Sequence, residues 1–259
     1  MNPSRAQPFT IDRSLKRWRA LLLDGIHILS SADSSIQLQN SSFASVPVLW
    51  DLACGEFRAL FGSLDKLSLV ISGGKAAPLL LRHLMESLTD CQALTVVVSD
   101  ERNCGDPEAW NSRSVAVAMG SRLQKSDTTL LSPTFTGCAS EMADSYEQVL
   151  SSAPAPNLAA LGVGNDGHVA SHFGNPVRHS PKIVEVVNDA PDPYRSRVTL
   201  SMPYLRSVPN RWAFVLGREK RGLVRRLLSG DLLPVHNFAP TRWFIDQAAL
   251  DVDSSEKHP

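Results

Sequence analysis

The sequence lacks an excess of either charge, any closely spaced cysteines, and any apolar run approaching the ~20 residues that cross a membrane. Lys and Arg together number 26, and Asp and Glu also number 26, so the formal net charge is zero. A neutral chain has no overall field to attract nucleic acid. Cys54, Cys91, Cys104 and Cys138 are widely separated, which argues against a disulfide framework or a zinc site and favours a reducing, cytoplasmic location.

The sequence also lacks an internal repeat, and the rest of its composition is that of an ordinary globular protein. Of its 259 residues, 43% are apolar and 20% are charged. Residues 13–29 have the apolar spacing of an amphipathic helix, and residues 30–46 are rich in Ser, Gln and Asn. We therefore predict an extension over residues 1–46 (a helix and a polar linker), an α/β domain over 47–250 and a polar tail over 251–259.

Short apolar runs alternate with helical patterns from residue 47 onwards. The predicted strands are 67–71, 94–98, 158–162, 182–187, 197–202 and 212–216. Predicted helices follow Pro47 and cover 76–88, 111–123, 139–151 and 220–229. Continuous apolar strands that alternate with helices predict an α/β fold with an open, mostly parallel sheet and helices on both of its faces.

Four of the predicted strands are followed by glycine turns or by charged residues. The segments are SGG at 72–74, SDER at 99–102, GVGNDGH at 162–168 and GREK at 217–220. Ligands in open α/β sheets bind beyond the carboxyl ends of the strands, where such segments meet. The sequence therefore predicts a ligand site at this edge of the sheet.

Each of these segments has a functional and a structural interpretation. The glycines at 73–74 could hold a phosphate on backbone N–H groups, or they could form a simple turn. Asp100 is a candidate base or sugar ligand and Arg102 a candidate phosphate ligand, although charged loops are usually solvated. Arg197 and Lys220 are candidate phosphate contacts, with surface positions as the alternative.

The turn at 162–168 fits the dinucleotide pattern G-x-G-x-x-G, but we favour another interpretation. The residues after it are broken by glycine and proline, so the helix that a dinucleotide site needs is not predicted. A turn that presents His168 as a proton acceptor, with Asp166 fixing its tautomer, is favoured. A metal site on His168, His172 and Asp166 is disfavoured, because Gly174 interrupts the helix that this spacing requires.

Taken together, these segments resemble the 6-phosphogluconolactonases, within a wider group that includes glucosamine-6-phosphate deaminases. The resemblance extends over roughly residues 47–250. The DGH-x-A-S-x-F stretch at 166–173 is its most specific part. The other matching segments are LVISGG (69–74), VVVSDER (96–102), Asn111, AxxYE (143–147), RVTLSMPYL (197–205), GREK (217–220) and APTRWFIDQAA (239–249).

The resemblance implies an open α/β fold that hydrolyses a phosphorylated sugar lactone without a metal or cofactor. We expect a monomer or homodimer, and the charge and the short apolar runs predict neither nucleic acid nor a membrane as a partner. His168 would be the general base that activates water, and Asp166 would position it. Gly73 and Gly74 would lie under the sugar phosphate, and Asp100 and Arg102 would line the pocket. Arg197 and Lys220 would neutralise the phosphate. The residues implied around the substrate are Ser72, Gly73, Gly74, Lys75, Asp100, Arg102, Asn111, Arg197 and Lys220.

This chain departs from the family pattern in ways that keep two alternatives open. Where the family has S-G-G-S-T-P, this chain has Ser, Gly, Gly, Lys, Ala, Ala and Pro at 72–78. The two missing hydroxyl groups favour a sugar-phosphate-binding protein with altered catalysis. An amino-sugar-phosphate deaminase or isomerase is the other alternative, but the stretch 174–176 lacks the acidic residue of the deaminase pattern.

Overall fold

The structure, a computed structural model, describes residues 41–88, 91–174 and 180–250. The predicted helix at 13–29 and the polar tail at 251–259 lie outside these residues. The described strands are β1 (Ser41–Ala44), β2 (Lys66–Ile71), β3 (Ala93–Val98), β4 (Asp100–Arg102), β5 (Thr128–Leu131), β6 (Leu158–Gly162), β7 (Val184–Val187), β8 (Arg197–Leu200), β9 (Asn210–Val215) and β10 (Arg242–Asp246).

Seven helices of the α type connect these strands. They are α1 (Val46–Phe61), α2 (Ala76–Ser87), α3 (Asn111–Met119), α4 (Ala139–Ser151), α5 (Met202–Ser207), α6 (Arg221–Ser229) and α7 (Val235–Phe238), all within the described ranges. Short 3₁₀ turns precede α3 and α6 and follow α3. None of the helices in the described residues is both long and apolar enough to cross a lipid bilayer.

Seven of the strands form one sheet in which every neighbouring pair is parallel. The strand order is β1-β10-β9-β6-β2-β3-β5. The sheet separates two apolar cores, because alternate side chains of a strand point to opposite faces. Leu69 and Ile71 lie in the core with α1, α2 and α3, while Val70 lies in the core with α4 to α7. The predicted α/β fold with helices on both faces is confirmed.

A second sheet, with strand order β4-β8-β7, is antiparallel and was not predicted. The predicted strands at 182–187 and 197–202 are present as β7 and β8, but they belong to this sheet. Only Ser99 separates β3 from β4, so the chain passes from one sheet to the other at the predicted SDER loop. The second sheet therefore lies at the carboxyl edge of the first.

The end of the predicted polar linker at 30–46 contains a strand. Ser41–Ala44 forms β1, which pairs with β10 in parallel register from Ser41 opposite Trp243 to Ala44 opposite Asp246. The strands β5 and β10 were also missing from the predicted strands. All three lie at or near an edge of the sheet, where pairing with a neighbour rather than local apolar pattern decides strand formation.

The AxxYE segment on α4 has a structural role. The hydroxyl of Tyr146 donates to the carbonyl oxygen of Val98 at 2.8 Å, which fixes α4 beside the end of β3. The Glu147 carboxylate accepts the backbone N–H groups of Ile183 at 3.0 Å and Val184 at 2.8 Å. These contacts join α4 to the start of β7.

Candidate active site

A cavity of about 810 Å³ opens at the carboxyl edge of the parallel sheet. Its walls come from the segments after β2, β6 and β9, and from β4 and β8 of the antiparallel sheet. The structure brings all eleven predicted site residues to this cavity: Ser72, Gly73, Gly74, Lys75, Asp100, Arg102, Asn111, Asp166, His168, Arg197 and Lys220. The contacts of these residues indicate what each can do.

His168 and Asp166 form a hydrogen-bonded pair in the turn after β6. The Nδ1 atom of His168 lies 2.5 Å from Oδ1 of Asp166. This hydrogen bond is the main reason that the pKa of Asp166 falls from 3.8 to about 2. An ionised carboxylate only accepts hydrogen bonds, so in a neutral imidazole the proton is on Nδ1 and Nε2 carries the lone pair. Within the described residues, Nε2 has no hydrogen-bond partner.

The glycines of this turn make room for the imidazole ring. A Cβ atom at Gly164 would lie 2.2 Å from two ring atoms of His168. Gly167 has a φ of +91°, and a Cβ there would approach Leu233 to 2.7 Å. No helix begins in the described residues 163–174, and Val169 pairs with His172 in an isolated bridge instead. The turn therefore presents a histidine and lacks the helix of a dinucleotide site.

The turn after β2 packs against Asn111. A Cβ atom at Gly73 would lie 1.9 Å from Oδ1 of Asn111, so only glycine fits there. Gly74 has a φ of +76°, which also favours glycine. The hydroxyl oxygen of Ser72 accepts the N–H of Gly162 at 3.0 Å and joins this turn to β6. Lys75 precedes α2 and its side chain makes no capping bond.

Two arginines face the cavity from neighbouring strands of the antiparallel sheet. Arg102 on β4 lies directly opposite Arg197 on β8. The guanidinium of Arg102 donates to the carbonyl oxygen of Ala109 and lies over the ring of Tyr194. Arg197 donates from Nε to the carbonyl oxygen of Tyr194 at 2.8 Å. Both arginines are thus anchored on neutral acceptors, which leaves their charge available to an anion.

The pKa values of the cations reflect partial burial. Burial lowers the pKa of Arg197, the charge of Arg102 lowers it further, and Asp100 opposes both effects. Burial likewise lowers the pKa of Lys220, whereas Glu219 and Asp166 raise it. A bound anion would oppose this cost of burying positive charge.

Asp100 is only 3% exposed and is held by two serines. Its carboxylate accepts the hydroxyl groups of Ser99 at 2.7 Å and Ser171 at 2.8 Å. Ser171 belongs to the same loop as His168, so these bonds join the histidine loop to β4. Sequence reasoning missed Ser171, although it belongs to the DGH-x-A-S-x-F stretch.

Glu219 and Asp246 also line the cavity and were not predicted. Asp246 is buried, and both of its carboxylate oxygens accept the N–H of Gly217, at 3.0 and 2.9 Å. It thereby holds the turn that leads to Lys220. The GREK segment was a signal for Glu219, but nothing near Asp246 in the sequence indicated its contact with Gly217.

His172 is not arranged as a metal ligand beside His168. Its ring is buried, with Nε2 at 2.9 Å from the carbonyl oxygen of Leu200. Among the described residues, no group of three or more His, Cys, Asp or Glu side chains is placed to hold a metal ion. The groups in the cavity that can take part in a reaction therefore include a histidine–aspartate pair, which can accept a proton, and several cations, which can bind an anion.

Comparison with known proteins bears out the resemblance. A family model for glucosamine-6-phosphate isomerases/6-phosphogluconolactonase matches residues 51–247. The 6-phosphogluconolactonase of Rattus norvegicus is 28% identical over 252 residues, covering 89% of this chain and 96% of the rat protein. That of Mycobacterium tuberculosis is 28% identical over 216 residues, covering 76% of this chain and 87% of the mycobacterial protein.

The fold has close counterparts among solved structures. The crystal structure of 6-phosphogluconolactonase from Thermotoga maritima matches with a TM-score of 0.69 and 23% identity, covering 80% of this chain and 99% of that one. At this identity the match concerns the fold alone. The family match covers most of the chain and contains every predicted site residue, from Ser72 to Lys220. The chain therefore belongs to the glucosamine-6-phosphate isomerase/6-phosphogluconolactonase family.

Proposed function

We propose that this chain hydrolyses 6-phosphogluconolactone to 6-phosphogluconate. The observation that carries the proposal is the His168–Asp166 pair on a cavity that also presents Arg102, Arg197 and Lys220. The relatives named 6-phosphogluconolactonase support the same substrate. The lactone carries one reactive ester bond and one phosphate group, which match a proton acceptor and a set of cations.

In the proposed reaction, Nε2 of His168 takes a proton from water as the water oxygen bonds to the lactone carbonyl carbon. The bond between this carbon and the ring oxygen then breaks. The imidazolium returns the proton to the ring oxygen, which becomes a hydroxyl group, and the carbonyl carbon becomes a carboxyl group. Asp166 accepts the Nδ1–H throughout, so it orients the ring and stabilises the imidazolium.

The cations serve binding and orientation in this proposal. Arg197 and Lys220 neutralise the phosphate, and the glycine turn offers it backbone N–H groups at the start of α2. Phosphate binding holds the lactone ring near His168 and so converts remote binding energy into orientation. A lactone is an activated ester, so one oriented base is sufficient for its hydrolysis.

Turnover of purified protein with 6-phosphogluconolactone tests this function against a blank without protein. We expect His168→Ala to lower kcat by roughly 10²- to 10⁴-fold, the usual contribution of a general base. His83→Ala is the matched control, because His83 stacks on Trp50 and does not line the cavity. A wild-type rate equal to the blank, or an unchanged rate for His168→Ala, would contradict the proposal.

The altered turn at 72–78 motivates a second candidate, a sugar-phosphate-binding protein without turnover. This candidate predicts two results: 6-phosphogluconate raises the Tm of the protein, and the rate of lactone hydrolysis does not exceed that of the blank. Hydrolysis above the blank rejects this candidate. If hydrolysis above the blank is absent, a missing Tm shift with 6-phosphogluconate counts against both candidates.

A further inference from the structure

Glu101 is a buried carboxylate that lies beside the cavity without lining it. It is 2% exposed and sits between Asp100 and Arg102 on β4. Because side chains alternate along a strand, Glu101 points to the opposite face from these two neighbours. The proposed reaction makes no direct use of it, and burying a carboxylate is unfavourable unless its oxygens are hydrogen-bonded.

The carboxylate of Glu101 accepts three backbone N–H groups. Oε1 accepts those of Arg102 at 2.9 Å and Asn111 at 2.7 Å, and Oε2 accepts that of Ser112 at 2.8 Å. The last two belong to the first turn of α3, whose N–H groups have no partner within the helix. Trp110, the residue that precedes α3, makes no side-chain capping bond. Glu101 therefore caps α3 from ten residues earlier in the chain.

The capped residue, Asn111, contacts two other parts of the site. Its Nδ2 donates to the carbonyl oxygen of Asp100 at 2.8 Å. Its Oδ1 occupies the space that a Cβ atom at Gly73 would fill. A displacement of Asn111 would thus move the wall behind the glycine turn and release the carbonyl of Asp100. Asn111 is 4% exposed, so it has little free space to move without disturbing these neighbours.

We infer that Glu101 is a positioning residue for the sugar-phosphate site, acting through Asn111 on the glycine turn at 73–74. This inference rests on the proposed function. The contacts need a carboxylate, because both oxygens accept hydrogen bonds from fixed backbone donors. A glutamine in its place offers one acceptor and one donor, and the donor would face an N–H group.

The test compares two glutamine substitutions that each disturb a carboxylate held by backbone N–H groups. We expect Glu101→Gln to raise KM for 6-phosphogluconolactone about tenfold and to change kcat less than threefold, because His168 lies on another loop. The matched control is Glu147→Gln, whose carboxylate accepts the N–H groups of Ile183 and Val184 away from the cavity. It should lower Tm and leave KM unchanged.

Glu101→Asp provides a second variant if Glu101→Gln does not fold. Aspartate keeps both acceptor oxygens, but its side chain is one methylene group shorter, so the oxygens lie farther from the N–H groups of residues 111 and 112. We expect a KM between those of the wild type and Glu101→Gln. If KM of both Glu101 variants stays within twofold of the wild type while Tm falls as in Glu147→Gln, the role of Glu101 is structural and the inference is wrong.

Binding of 6-phosphogluconate, measured by calorimetry, separates this inference from the proposed function. If the wild type binds 6-phosphogluconate but does not hydrolyse the lactone, the proposed function fails and Glu101 is still tested. A Kd about tenfold weaker in Glu101→Gln, but unchanged in Glu147→Gln, then supports the inference, and equal Kd values overturn it. A wild type with neither activity nor binding overturns both.

Discussion

Lys75 lines the cavity, and its positive charge is not paired with a carboxylate of the described residues. Its side chain is exposed, makes no capping bond to α2, and has no ion pair within the described part of the chain. It also stands in the turn where the family pattern has hydroxyl groups. A flexible ammonium at this point can approach the same phosphate that those hydroxyl groups would contact.

We therefore expect Lys75→Ala to raise KM for the lactone about three- to tenfold, or about 0.7–1.4 kcal/mol, the equivalent of one ordinary hydrogen bond. Because Lys75 is remote from the reacting carbonyl in this proposal, kcat should change less than twofold. Steady-state kinetics measure both values, with Lys66→Ala as the control, since Lys66 is exposed at the opposite end of β2. An unchanged KM would show that Lys75 does not contact the phosphate.

Lys220 gives a prediction about pH as well as binding. Burial lowers its pKa, so below the folded pKa its charge reduces stability, and this cost declines as pH rises towards lysine's ordinary pKa. We expect Lys220→Met to raise the Tm of the unliganded protein at neutral pH by about 1–3 °C. The same variant should bind 6-phosphogluconate more weakly than the wild type.

Thermal unfolding over a pH series measures this effect, with the exposed Lys125→Met as control. The difference in Tm between Lys220→Met and the wild type should narrow as the solution becomes alkaline. A lower Tm for Lys220→Met at neutral pH would mean that the attraction of Glu219 and Asp166 outweighs burial.

At the residue scale, the sequence predicted the groups that line the cavity better than the groups that hold them in place. His168, Asp100 and Lys220 come after predicted strands, and the loops at the carboxyl ends of parallel strands meet at one edge of the sheet. Glu101 acts on backbone N–H groups of residues 111 and 112, and no residue pattern reports a hydrogen bond between backbone and a distant carboxylate. The sequence showed a glycine at position 164, but the reason that only glycine fits there is the position of the His168 ring, which the sequence does not give.

At the element scale, the structure adds a strand where the sequence predicted a polar linker. The polar composition of 30–46 predicted no strand, yet Ser41–Ala44 pairs with β10 at the edge of the sheet. Composition reports the conformation that a segment prefers in isolation. Without β1, the outer edge of β10 would expose a row of unpaired backbone N–H and C=O groups, and a neighbouring segment of almost any composition can pair with them. The strand β10 also carries Asp246, which holds the turn before Lys220.

Two truncations test the importance of β1. A chain that starts at residue 41 retains the strand, and a chain that starts at residue 45 lacks it but keeps all of α1. We expect the shorter chain to have a Tm at least about 5 °C below that of the longer one, because β10 loses its outer hydrogen-bonded partner. Thermal unfolding monitored by circular dichroism measures the difference. Equal Tm values would show that β1 contributes little to the sheet.

At the scale of the whole molecule, the sequence predicted the layers but not the division into two sheets. Apolar runs at β2, β3, β6 and β9 predict buried parallel strands, and those strands form the centre of the large sheet. The runs at β7 and β8 resemble those four runs in sequence, but β8 pairs with the short polar strand β4 on one side and with β7 on the other. Which strands become neighbours depends on the path of the chain, which local periodicity does not report.

Because Arg102 lies opposite Arg197, the lining of the cavity depends on the pairing register of β4 and β8. Sliding β8 by a single position along β4 would turn Arg197 away from the cavity and bring Val198 towards it. An insertion or deletion in the segment joining β7 and β8 therefore preserves the cavity only when the loop accommodates it before Arg197, so that the register of β8 on β4 stays the same. For the proposed phosphate site, the number of residues in this connection therefore matters as much as the identity of the cations.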